Sequence, residues 1–140
     1  MNKVKQEWLT EEDRETWVDE ETGYTCLILR HDDMLHLCGY VYVPVDHPWF
    51  KLEYGQATDD DSRPPELDLE VHGGCTFSGM HTENNENTEW CFGFDCAHLS
   101  DYSPGMAKYG MDRDQDTYRN WAYVKQQCEA MAKQLKRVAS

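Results

Sequence analysis

Asp114-Gln-Asp-Thr-Tyr-Arg-Asn-Trp-Ala-Tyr-Val-Lys-Gln-Gln-Cys-Glu-Ala-Met-Ala-Lys-Gln-Leu-Lys-Arg137 is the stretch that decides the fold. Within it Tyr118, Trp121, Val124, Cys128, Met131 and Leu135 recur three or four residues apart, which places them on one side of an α-helix. Asp114 or Asp116 can cap its start, and Lys133, Lys136 and Arg137 suit the negative end of the helix dipole. The spacing therefore predicts a helix over 114–137. One apolar stripe on an otherwise polar helix needs a surface to cover, and a sheet supplies it.

Working back along the chain, that sheet is found in four alternating or β-branched runs. Tyr24–Arg30 and Met34–Val43 flank the turn residues His31-Asp32-Asp33 and read as a hairpin. Leu67–His72 and Glu89–Asp95 read as a third and a fourth strand, expected to pair as a second hairpin. The polar stretches 54–66 and 79–88 read as exposed loops, the first with Asp59-Asp60-Asp61 and Pro64-Pro65. The acidic residues 1–22 read as a short helix or an irregular arm carrying Trp8 and Trp17. The expected architecture is α+β: one domain over 1–140, an antiparallel β-sheet with one long C-terminal α-helix packed on one face.

Composition limits the function classes. There are 27 acidic residues against 13 basic ones, a formal net charge of -14. Phosphate backbones and anionic membranes are bound by Lys and Arg, so direct DNA or RNA binding and membrane binding are both disfavoured. The amino-terminal stretch lacks the apolar run of a secretory signal, and no apolar stretch approaches the ~18 residues that span a bilayer. The six cysteines are scattered with no Cys-x-x-Cys pair. Reduced thiols and a cytoplasmic location are expected.

Strand side chains alternate between faces. If Leu37, Val41, Val43, Leu69, Val71, Trp90, Phe92 and Phe94 face the helix, the other face collects His36, Tyr40, Tyr42, Asp68, Glu70, His72 and Asp95. That face is either the wet side of a one-sided sheet or a functional cleft. Pairing of the third and fourth strands would bring His72-Gly73-Gly74-Cys75-Thr76 beside Asp95-Cys96-Ala97-His98 and Asp101. Histidine and carboxylate side chains on one hollow suit acid–base chemistry, and His72, Asp95, Cys96 and His98 are the candidate catalytic residues.

Three uses of that hollow follow from the residue types. His72, Asp95, His98 and Asp101, with Cys96, offer nitrogen, oxygen and sulfur to a divalent cation, although no metal-binding spacing is present and no metal ligand is assigned. Cys96 beside an imidazole offers a thiol hydrolase. Asp-Cys-Ala-His is similar to the Asn-Cys-Glu-His segment of circularly permuted papain-like acyltransferases, over those few residues alone. Lastly, Tyr40, Tyr42 and Trp49 can stack on a ring while Gly73, Gly74, Thr76 and Asp101 hold its polar groups, giving a non-catalytic pocket.

Leu37-Cys-Gly-Tyr-Val41, His47-Pro48, Val71-His-Gly-Gly-x-Thr76, Gly93-Phe-Asp-Cys-Ala-His-x-x-Asp101 and Tyr118-x-x-x-x-Tyr123-Val124 together resemble a family of small proteins from tailed phages and prophages. The resemblance runs from about Cys26 to Leu135. Cys75 departs from it, standing where an aliphatic residue is expected, and the loops at 54–66 and 79–88 are particular to this chain. It implies an accessory protein acting in the host cell cytoplasm, with interference in host defence as one such role. The expected function is binding, with hydrolysis left open, of a small nucleotide-like ligand in the His/Asp/Cys pocket. The alternatives are an acidic inhibitor that docks on a host protein and a thiol hydrolase built on Cys96.

Overall fold

The computed structural model describes residues 3–52, 68–80 and 90–140. Five strands, β1 (Arg14–Val18), β2 (Thr25–Arg30), β3 (Leu37–Val43), β4 (Phe77–Gly79) and β5 (Trp90–Asp95), form one antiparallel sheet in the order β1-β2-β3-β5-β4. A short helix α1 (Pro104–Ala107) precedes the long helix α2 (Trp121–Ala139), which packs against β3 and β2. The fold is α+β with one long C-terminal helix on the sheet, as the helical stripe requires. No helix among the described residues is long and apolar enough to cross a membrane.

The main core lies between α2 and the sheet. Val124, Cys128, Met131, Ala132 and Leu135 of α2 are buried against Cys26, Ile28, Leu37, Val41, Phe92 and Phe94. Gly39 marks the closest approach: a Cβ there would sit 2.6 Å from the Phe94 ring and 2.7 Å from Cys128 Sγ. The opposite face of the sheet is not simply wet. Leu27, Tyr42 and Cys91 are buried there, with Leu29, Tyr40 and Phe77 half-buried around them.

The helix begins later than its stripe suggests. Asn120 caps it, its side chain accepting from the Tyr123 amide at 2.9 Å. Residues upstream are held in other bonds: the Thr117 amide donates to the Ser100 carbonyl and the Tyr102 amide to the Thr117 carbonyl, both at 2.7 Å. Asp114 and Asp116 therefore lie outside the helix.

The third strand expected at Leu67–His72 is not found. Leu67 falls outside the described residues, and 68–72 pairs with no strand. Its backbone is bound instead by glutamine side chains of α2. The Glu70 amide donates to Gln134 Oε1 at 2.7 Å, Gln134 Nε2 donates back to the Glu70 carbonyl at 2.8 Å, and the His72 amide donates to Gln127 Oε1 at 2.8 Å. Leu69 is buried and Asp68 and Glu70 are exposed, so the alternation is real. Alternation reports that one side is covered; it does not say that a strand covers it. The neighbours of β5 are β3 and the short β4, with Phe77 opposite Gly93. The loops expected at 54–66 and 79–88 lie almost wholly outside the described residues, except that 79 closes β4 and 80 follows it.

The amino-terminal residues also behave differently from an arm. Lys3–Thr10 is a 3-10 helix, and Arg14–Val18 is an edge strand paired with β2. Arg30 holds this region down. Its buried guanidinium donates to Asp13 Oδ1 at 2.7 Å, the Leu35 carbonyl at 2.9 Å, the Tyr118 hydroxyl at 3.0 Å and Glu11 Oε1 at 3.3 Å. Glu11 also accepts from the Tyr118 hydroxyl and, at 2.7 Å, from the Trp121 amide. A carboxylate thus meets the positive end of α2 from a distant part of the chain.

Candidate functional site

Val71–Gly74 is a tight turn closed by the Gly74 amide on the Val71 carbonyl at 2.8 Å. Gly73 has φ +68°, and a Cβ there would lie 2.1 Å from His98 Nε2, so both the backbone angle and the imbedded imidazole require glycine. The turn delivers His72 towards the loop after β5. That loop is wound on itself: the Ala97 amide donates to Asp95 Oδ1 at 3.2 Å, and the Asp101 amide to the His98 carbonyl at 2.9 Å.

Asp101 is the hub. Its side chain is 1% exposed, and it accepts from His72 Nε2 at 2.7 Å and Arg119 Nε at 2.9 Å. The His98 amide donates to the same Oδ2 as His72, at 3.0 Å. Burial by itself would raise the Asp101 pKa, but the bonds from His72, Arg119 and the His98 amide outweigh it and leave the carboxyl below its usual range. Because an ionised carboxylate only accepts, Nε2 of His72 carries the hydrogen in that bond. In the neutral ring Nδ1 then accepts from the Tyr123 hydroxyl at 2.7 Å. Burial, the largest cause, pushes the Tyr123 hydroxyl pKa up. Tyr123, His72 and Asp101 therefore stand in the order of a proton relay, with Arg119 neutralising its acidic end.

His98 is the second imidazole. Its ring lies 5.8 Å from that of His72 at an angle of 62°. Nε2 is 3.1 Å from Asp95 Oδ1, an ion-pair distance when the ring is protonated. The contact is close but not aligned as a hydrogen bond, and Nε2 is otherwise unpartnered. His98 and Asp101 open onto a cavity of about 310 Å³ whose other walls include Met34, Met106, Met111 and Arg113. His36 is buried nearby and stacked on His31 with ring centroids 4.9 Å apart. Burial lowers its pKa to about 4; His31 and His98 add to the lowering, against Asp95 and Asp101.

No family model matches this chain, and no curated protein or solved structure matches it either. The site is therefore read from its own geometry.

That geometry gathers His72, Asp95, His98 and Asp101, although through the 71–74 turn rather than through a hairpin of the third and fourth strands. It separates the rest. Cys96 is 1% exposed in the core, and burial, reinforced by Asp101, Cys38 and Asp95, drives its thiol pKa far up. A buried, protonated thiol is a poor nucleophile, so Cys96 does not fit the catalytic role expected of it. Tyr40 and Tyr42 belong to the small cluster on the far face of the sheet. Trp49 packs edge-on against Phe92 at 5.8 Å and lines a different groove of about 730 Å³, with Asp68, Glu70 and Gln134. The Thr76 amide is spent on the Gly93 carbonyl at 2.9 Å. These three aromatic residues do not form one stacking platform with His72.

A divalent cation finds little here. Both ring nitrogens of His72 are used, and no group of three His, Cys, Asp or Glu side chains among the described residues is arranged to hold a metal. Arg119, Tyr123 and the three methionines were not legible as site residues. The local hints were the place of Tyr123 in the Tyr118-x-x-x-x-Tyr123-Val124 pattern and its spacing of four from Arg119.

Proposed function

We propose that this chain is a phage accessory protein that binds a small nucleotide-like ligand in the cavity walled by His98. The reading is carried by one observation: His98 and Asp101 border an open hollow while His72, Arg119 and Tyr123 hold them in place. A volume of about 310 Å³ suits a planar base or a nucleoside. Met34, Met106 and Met111 offer polarizable thioethers to the face of such a ring, and His98 and Arg113 offer polar groups to its edge. Asp112 and Asp116 on the same wall, and the net charge of -14, favour a guest with little phosphate charge, such as a nucleoside or a cyclic mononucleotide. If the guest is cleaved, the His98–Asp95 pair is the group able to move the proton. Acting in the host cytoplasm, such a protein could withdraw a nucleotide signal from a defence system.

Thermal unfolding against nucleosides, nucleoside monophosphates and cyclic nucleotides tests the reading. A guest at a hundred times its Kd adds about 2.7 kcal/mol of stability. His98→Ala and Met106→Asp should abolish that gain, and silence from the whole panel would remove the proposal.

A further inference from the structure

A second surface, independent of the His98 cavity, lies where β1 meets the outer side of α2. Alternation along β1 turns Glu15 and Trp17 towards the helix, where Trp121, Lys125 and Glu129 recur four residues apart on one stripe. Between them runs a groove of about 590 Å³. The Trp17 and Trp121 rings lie 6.0 Å apart at 48°, and Trp17 Nε1 donates to Glu129 Oε2 at 3.3 Å. Glu15, Glu20, Glu21 and Glu129 line it, opposed by Lys125 and Lys133. Beyond Trp121 a smaller hollow is lined by Glu11, Glu12 and Glu15, so carboxylates flank the indole on both sides. Val18, in the same groove, is 58% exposed.

We propose that this groove docks a lysine-bearing basic segment of a protein partner, the two indoles taking an ammonium group between the glutamates. Lys125 Nζ already sits 5.9 Å from the Trp17 ring and 5.5 Å from the Trp121 ring. Lys133 Nζ pairs with Glu21 at 3.0 Å. The groove thus already receives ammonium groups, and its lining carboxylates outnumber the chain's own two lysines. Indole faces attract cations through the ring quadrupole, and tryptophan is among the residues that carry most interface energy. The acidic exterior would steer a basic partner towards the groove.

The test uses the full chain and a fluorescently labelled octalysine peptide, with binding followed by anisotropy and by the indole N–H resonances of Trp17 and Trp121. The peptide should bind, shift both resonances and release at high salt. Lys125→Met, which removes the resident ammonium, should tighten binding about fivefold. Glu15→Gln with Glu20→Gln, both on exposed positions, should weaken it about tenfold. Lys108→Met makes the same change in net charge outside the groove and should alter affinity less than about twofold. Equal effects of Lys125→Met and Lys108→Met would reduce the groove to bulk charge and overturn the proposal. Failure of the peptide to bind, or tighter binding of free spermine than of the peptide, would overturn it as well.

Discussion

Arg30 and Asp101 are each a buried ion that ties distant segments together, and they end up in different kinds of surroundings. Arg30 binds Asp13, Glu11, Tyr118 and the Leu35 carbonyl, and none of these four groups is a wall of the cavity beside His98. Asp101 binds His72, Arg119 and the His98 amide, and it borders that cavity together with an imidazole that is 33% exposed. A buried charge whose partners all lie away from the His98 cavity, even where one of them, Asp13, reaches the surface, acts as scaffold. One that holds a half-exposed titratable ring against a hollow has the makings of a site. The comparison separates two networks that look equally polar in the sequence.

The largest test of the contrast is Arg30→Met. It leaves Glu11 and Tyr118 buried without their cation and should cost about 4 kcal/mol in urea unfolding. A loss below about 1 kcal/mol would deny the network its anchoring role.

Acid comes next, through His36 and Asp101. The His36 pKa is lowered by burial to about 4, so the unfolded chain takes up the proton first. Its contribution is complete above about pH 6.5 and is lost as pH falls towards 4, about 3 kcal/mol in all. The lowered carboxyl of Asp101 acts in a more acidic window, its stabilisation disappearing as pH drops below the usual carboxylate range. A pH series of unfolding free energies should show the first step vanish in His36→Phe and the second in Asp101→Asn.

At neutral pH Asp101→Asn should itself cost about 2 kcal/mol, because the amide keeps the shape but loses the ion pair with Arg119. It should also loosen the His72 ring, seen as a changed imidazole resonance. The smallest effect belongs to Cys96→Ala. Loss of one buried sulfur should cost about 1 kcal/mol and leave ligand binding at the His98 cavity intact. Loss of binding in that variant would return the thiol to the site.

The parts of the fold legible in the sequence are those whose burial is local. β2 carries a run of apolar and β-branched residues, α2 a helical stripe, and β3 and β5 an alternation of side chains, and each is present with shifted ends. Segment 68–72 carries the same pattern and is not a strand, because Gln127 and Gln134 take the backbone bonds a neighbouring strand would make. β1 escapes notice because four of its five residues are exposed, as befits an edge. Within the site, His72, Asp95, His98 and Asp101 could be nominated from their strand ends and glycines. Arg119 and Tyr123 could not, since their role depends on where the start of α2 passes the 71–74 turn. Cys96, Tyr40, Tyr42 and Trp49 have the right chemistry for a pocket but are turned elsewhere by the packing.

Alone, the sequence determined the α+β class, the stripe that α2 buries, the sides to which most strand residues point and the strongly acidic charge. These depend on periodicity and composition, which are written residue by residue. The tertiary structure decided which partner each backbone group found, which carboxylate was enclosed by an imidazole and a guanidinium, and which thiol was buried out of reach. Those outcomes depend on distances between residues far apart in the chain, and no local pattern encodes them.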